Sequence, residues 1–203
     1  MFFSFEGIDG SGKSTQARLL SEALRARGHA VLDVREPGGT SLGERIRGLL
    51  LDPGPHVGPR AEVLLFSAAR AQLVAAVIQP ALDEGTVVVA DRFYDSTTAY
   101  QGYGRGIASE GWMEQMNRFA AHEIAPDRTY FVDVPIATAA SRRADRPNDR
   151  MEAMPDEFYE RVRAGYHALA VHSRVLTLDG TRPVGALHEA ILDDALSALS
   201  RRG

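Results

Sequence analysis

The sequence predicts an α/β fold in which a parallel sheet is covered by helices on both faces. Three observations carry that expectation. Strand-like and helix-like segments alternate along most of the 203 residues, the order that βαβ crossovers impose. The run Thr86-Val87-Val88-Val89-Ala90 is continuous and mostly β-branched, as a strand buried on both faces should be. A short apolar segment near the N-terminus enters a glycine-rich turn and then a helix-periodic stretch. With 44% hydrophobic residues, the chain can bury one substantial core, so 1–203 reads as a single domain.

Phe2 to Phe5 is the first strand, and Ser14 to Arg27 places Ala17, Leu19, Leu20, Ala23 and Leu24 with helical spacing. Gly28 stops that helix, Ala30 to Val34 reads as a second strand, and Glu36-Pro37-Gly38-Gly39-Thr40 is a turn. A short helix is expected from about Leu42 to Leu51. Arg60 to Leu82 reads as a long helix that is apolar on more than one face and must therefore cover two surfaces. After the central strand, helices are expected at about 96–102, 111–124 and 135–144, with a strand from Thr129 to Val134. A helix at about 156–171, a strand from Val175 to Leu178 and a helix at 184–200 complete the alternation.

Gly7-Ile8-Asp9-Gly10-Ser11-Gly12-Lys13-Ser14 matches G-x-x-x-x-G-K-[ST] in its proper strand-to-helix setting. Glycines there let backbone N–H groups turn toward phosphate oxygens, and the helix N-terminus favours the anion. Lys13 adds a charge suited to the β- and γ-phosphates, and Ser14 is a candidate Mg²⁺ ligand. Thr15 continues the site. Asp91, ending the central strand, suits an acid that orients the magnesium shell directly or through water; a turn or helix cap is the structural alternative.

Composition narrows the partners. A net charge of −4 argues against a broad basic surface for a nucleic acid polymer or an anionic membrane. The chain has no cysteine, which removes disulfides and thiolate metal sites. No leader-like segment or apolar run of membrane-spanning length is read, so a cytoplasmic protein is expected. Lys13 is the only lysine among 23 basic residues, which also excludes the N-K-x-D element of guanine-reading switches.

Phosphoryl transfer needs an acceptor pocket and a shield from water. Phe66 and Arg70 are four apart, so one helix face presents an aromatic plane and a guanidinium. Thr97, Tyr100 and Gln101 share another face after Asp91-Arg92. Taken singly, Phe66 could be a core aromatic, Arg70 a solvated arginine and Tyr100 a packing residue.

Several segments together resemble bacterial thymidylate kinases: Phe5-Glu6 with the phosphate loop through Thr15-Gln16, Arg35-Glu36-Pro37-Gly38-Gly39-Thr40, Asp91-Arg92-Phe93 with Ser96, Ala99-Tyr100-Gln101-Gly102, and Asp149-Arg150-Met151-Glu152. They occur in the right order over essentially the whole chain. The resemblance implies a P-loop nucleoside monophosphate kinase fold with a five-stranded parallel sheet and an arginine-rich lid at about 142–153. It implies transfer of the ATP γ-phosphoryl group to dTMP, with Mg²⁺, by a homodimer whose contact involves the long helix. By that similarity Phe66 stacks on thymine, Arg70 reaches its exocyclic oxygen, and Thr97 and Gln101 lie near N3. Tyr100 lies against the deoxyribose, Asp9 reaches toward the acceptor's sugar or phosphate end, Glu36 and Pro37 line the sugar pocket, Ser96 belongs to the acceptor site, and Arg92 clamps the acceptor phosphate. Because the loop carries Gly10 and Ser11 rather than an arginine, one of Arg142, Arg146 or Arg150 should supply the catalytic guanidinium. A kinase for a different small nucleotide is the nearest rival.

Overall fold

The computed structural model describes residues 1–52, 57–144, 150–151 and 153–201. Five strands, β1 (Phe2–Glu6), β2 (Val31–Arg35), β3 (Val87–Asp91), β4 (Arg128–Asp133) and β5 (Val175–Asp179), form one sheet. Its order is β2-β3-β1-β4-β5, with all pairs parallel. Around it lie α1 (Lys13–Arg25), α2 (Ser41–Leu51), α3 (Pro59–Leu73), α4 (Gln79–Asp83), α5 (Tyr94–Thr97), α6 (Glu110–Ala120), α7 (Ile136–Arg143), α8 (Asp156–Leu169) and α9 (Val184–Ser200). The expected elements are present, with ends that move by a few residues.

Burial on both sheet faces follows from alternation. In β1, Phe3 and Phe5 join Leu20, Leu24 and Ile191 beneath α1 and α9. Phe2 turns to the other face and joins Leu73, Val74, Ile78 and Phe93. Glu6 has the same parity as Phe2. Register places Phe5 beside Asp91 and Glu6 beside Phe131, so the acids that end β1 and β3 meet at the carboxyl edge of the sheet. In open parallel sheets that edge is where ligands bind.

Two helices widen into π turns that periodicity did not reveal. The first, Val74–Ile78, joins α3 to α4 just ahead of Pro80. Proline lacks the N–H for a regular bond and its ring crowds the carbonyl four residues back, so widening there relieves the clash. The continuous helix Pro59–Asp83 spans 25 residues with a mean hydropathy of 1.7 in its most apolar window. This corrects the expectation that no apolar run reaches membrane-spanning length. Val63, Ala69, Leu73, Val74 and Ile78 are buried in the fold, and Glu62 and Arg70 are buried with them, so part of its apolarity serves the core.

The second π turn, Thr98–Gly104, continues α5 and carries Tyr100 and Gln101. It packs against α8, and a Cβ at Gly104 would stand 2.7 Å from Phe158 and 2.8 Å from Val162. Gly104→Ala is therefore expected to destabilise the fold by about 1–3 kcal/mol through overpacking, measurable by denaturant titration.

Candidate active site

A cavity of about 530 Å³ opens at the carboxyl edge of the sheet. One end is built by the phosphate loop. Gly7, Gly10 and Gly12 have φ of 140°, 87° and 99°, which turns the backbone sharply between β1 and α1. Ser11 N–H closes onto Ile8 O at 3.1 Å, while the first N–H groups of α1 lack intrahelical acceptors. Asp9, Gly10, Gly12, Lys13, Ser14 and Thr15 line the cavity. Gly7, Ile8 and Ser11 support the loop from beneath, Ile8 being packed in the core.

Gly10 is fixed sterically as well as by its φ. A Cβ there would lie 2.5 Å from Ala139 O in α7. From the same helix, Arg142 donates from Nη1 to Ser11 O at 3.1 Å and from Nη2 to Gly180 O at 3.0 Å. Helix α7 thus buttresses the loop from outside.

Asp9 binds the basic groups together. Its carboxylate accepts from Arg92 Nη2 at 2.7 Å and Tyr100 Oη at 2.8 Å, and lies 3.5 Å from Lys13 Nζ. Burial alone would raise its pKa, but Arg92 and Lys13 hold it well below the usual carboxylate range. Lys13 is shifted downward, by burial first and by Arg92 second, with Asp9 opposing.

Arg92 itself has φ 74°, an uncommon conformation for a side chain with a Cβ. Its Nη1 donates to Ser96 Oγ at 2.9 Å and Tyr166 Oη at 3.1 Å, and its guanidinium stands 5.0 Å from the Tyr100 ring centroid. Glu6 lies behind this group, accepting from Phe93 N at 2.8 Å, Ser96 Oγ at 2.5 Å and Tyr166 Oη at 3.0 Å.

The other end of the cavity is the aromatic and amide end. Phe66, Arg70, Thr97, Tyr100 and Gln101 all line it, as do Glu36, Pro37 and Ser96. Arg70 is 1% exposed. It meets Glu36 through Nε at 2.9 Å and Nη2 at 2.7 Å, Thr97 Oγ1 through Nη2 at 2.7 Å, and Asn117 Oδ1 through Nη1 at 3.3 Å. One Nη1 hydrogen is left for a ligand. Glu36 is therefore chiefly the anchor of Arg70.

The lid arginines separate. Arg142 lines the cavity, and so does Arg143, which was not singled out from the sequence. Arg150 does not: its Nε donates to Leu50 O at 2.7 Å and its Nη1 pairs with Glu62 at 2.8 Å. In this geometry those bonds hold Arg150 at the C-terminal turn of α2, away from the cavity lining. Arg146 lies outside the described residues. Arg35, which entered the sequence reading only within the family-resembling segment, and Arg47, which was not singled out, also line the cavity.

The donor set suits a hard divalent cation. Asp91 Oδ1 is buried with no hydrogen-bond partner, and Asp91 lines the same cavity as Ser14 and Lys13. An unpaired carboxylate oxygen next to a phosphate-binding loop fits hydrated Mg²⁺, which takes oxygen ligands and retains water.

Residues 5–191 match the thymidylate kinase family model. A thymidylate kinase from Prosthecochloris aestuarii is 45% identical over 215 residues, covering 100% of this chain and 95% of the relative. One from Pelotomaculum thermopropionicum is 49% identical, covering 98% of each. The crystal structure of thymidylate kinase from Ehrlichia chaffeensis superposes with a TM-score of 0.78 at 34% identity, covering 96% of this chain and 98% of that one.

Glu6 offers a measurable signature of the site's electrostatics. Burial first, and Asp95 second, push its pKa up to about 7 against the opposing charge of Arg92. Between the ordinary carboxylate value and about 7 the folded state binds more protons than the unfolded one, so this group's contribution to stability falls as pH rises. The slope has a ceiling of about 1.4 kcal/mol per pH unit for one proton. Glu6→Gln is expected to flatten the wild-type decline from about pH 4.5 to 7, read from denaturant unfolding at each pH.

Proposed function

This chain belongs to the thymidylate kinase family, and we propose how its residues divide the work of phosphoryl transfer. It is an enzyme that moves the γ-phosphoryl group of ATP to dTMP, forming dTDP and ADP in dTTP biosynthesis. The observation that carries the residue assignment is the single cavity, with a phosphate loop at one end and Phe66, Arg70 and Gln101 at the other.

The loop N–H groups, from Gly7 through Thr15, cradle the ATP phosphates, and Lys13 neutralises the β- and γ-oxygens. Ser14 and Asp91 are the residues that would hold Mg²⁺, which supplies charge neutralisation between the phosphates. Phe66 stacks on the thymine, the remaining Nη1 hydrogen of Arg70 donates to its exocyclic oxygen, and Thr97 and Gln101 meet the N3 edge. Tyr100 and Pro37 bound the deoxyribose.

The acceptor phosphate is already a nucleophile near neutral pH, so alignment and charge carry the chemistry. Arg92, oriented by Asp9, Ser96 and Tyr166, clamps that phosphate and offsets repulsion between the two nucleotides. Arg142 and Arg146 complete the γ-phosphate surroundings when the lid meets ATP, whereas Arg150 seats the lid's far end.

The working unit is a homodimer in the cytoplasm. Exposed Ala61, Leu64, Ala68 and Ala75 along α3 and its continuation, with Trp112 and Phe119 on neighbouring α6, support the contact. Phe119 is 82% exposed, and Phe119→Asp is expected to yield monomer in sedimentation equilibrium.

ADP release measured with dTMP, dUMP, dCMP, dGMP and AMP is expected to favour dTMP. A preference of about tenfold for another acceptor would overturn the assignment. Arg142→Ala and Arg146→Ala are each expected to lower kcat at least about tenfold while leaving the KM for dTMP within about threefold. If neither those variants nor their combination moved kcat by more than about twofold, the lid role would fall.

A further inference from the structure

The first turn of α3 contains a carboxylate that does not itself line the cavity but bonds a residue that does. Glu62 is fully buried, and three side chains converge on it. Gln101 donates through Nε2 at 2.9 Å, Arg105 through Nε at 3.2 Å and Nη2 at 3.0 Å, and Arg150 lies at 2.8 Å through Nη1. Arg105 follows the second π turn, and Arg150 comes from the far end of the lid. Burial alone would raise the Glu62 pKa, but hydrogen bonds from Arg105 and Gln101 hold it below the ordinary range. It is an acceptor with no proton to give.

That last property has a consequence for Gln101. A glutamine amide can present either its oxygen or its nitrogen to a neighbour, and the two orientations are nearly isosteric. Beside an ionised carboxylate only one is stable, with the nitrogen toward Glu62. The carbonyl oxygen then points away from Glu62, and Gln101 lines the cavity. We infer that Glu62 is a specificity-determining positioning residue, which fixes the Gln101 amide so that an acceptor faces the base.

This rests on the assignment of Gln101 to the N3 edge. With it, the cavity offers a donor from Arg70 and an acceptor from Gln101. Thymine presents the complement, an O4 acceptor next to an N3 donor. Cytosine presents an N4 donor next to an N3 acceptor, so both contacts are reversed and buried polar groups are left unpaired. Glu62 thereby turns a glutamine, which by itself reads either pattern, into a reader of one. Arg105 and Arg150 keep it ionised, which ties the polarity of the base pocket to the seating of the lid's far end.

The test compares wild type with Glu62→Gln, Gln101→Ala and the charge-conserving exchange E62Q/Q101E, measuring kcat and KM for dTMP and dCMP with thermal midpoints alongside. In Glu62→Gln the new amide donates to Gln101, whose own amide turns over. The dTMP:dCMP ratio of kcat/KM is expected to fall at least about tenfold, mostly through KM for dTMP. The exchange puts an acceptor-only group at position 101, and it is expected to return the ratio to within about threefold of wild type. A purely structural role would lower the thermal midpoint and both activities with the ratio unchanged, and that result overturns the inference. If Gln101→Ala lowers the ratio and Glu62→Gln leaves it within about twofold, Glu62 does not set the amide while the thymine reading stands. If Gln101→Ala itself leaves the ratio unchanged, the thymine reading falls and the inference with it. Should Glu62→Gln fail to fold, the exchange decides alone: a retained ratio supports the inference and a collapsed one overturns it.

Discussion

Phosphoryl transfer between two nucleotides requires cations to be concentrated where anions will arrive, and in the free protein those cations must be kept from repelling one another. Asp9 meets that constraint. It lies between Lys13 and Arg92 and accepts a hydrogen bond from Tyr100, so one carboxylate holds a lysine, an arginine and a tyrosine from three separate segments. The sheet makes this possible by setting the ends of β1 and β3 side by side. Without that acid, Lys13 and Arg92 would face each other in a partly desolvated cleft, where like charges interact far more strongly than in water.

The same arrangement recurs away from the phosphates. Arg70 is matched by Glu36, Arg174 by Asp95, and Arg105 with Arg150 by Glu62. Each acid is buried, and each arginine uses more than one N–H. Such pairs are weak evidence for stability, since desolvation consumes much of the attraction. Their geometric precision is a different matter, because a guanidinium fork fixes direction as well as distance. Here direction is what base recognition and phosphate clamping require.

The sheet, its helices and the phosphate loop were legible because their signals are local: glycine spacing, β-branched runs and helical periodicity. The pairing of Phe66 with Arg70 was legible for the same reason, being one turn of helix. Glu62 was not. In sequence it is an acid in the first turn of an apolar helix, which the helix dipole explains without further meaning, and its partners Gln101 and Arg105 lie 39 and 43 residues away, with Arg150 farther still. The contacts of Arg150 with Leu50 and Glu62 were not legible either, because a run of arginines does not reveal which of them turns inward. The π turns escaped because a widened turn leaves no periodic trace over so few residues.

The contact between Gly10 and α7 bears on how such enzymes diverge. Supplying the catalytic guanidinium from the phosphate loop would need a side chain in that loop, and at Gly10 the space is taken by Ala139 O. Arg142, from that same helix, also holds the loop's carbonyls. A loop arginine at position 10 therefore cannot be gained by one substitution that leaves α7 in place. Moving the arginine's source from α7 to position 10 would require coupled changes in the loop and in the helix that supports it, with intermediates in which the loop is unsupported.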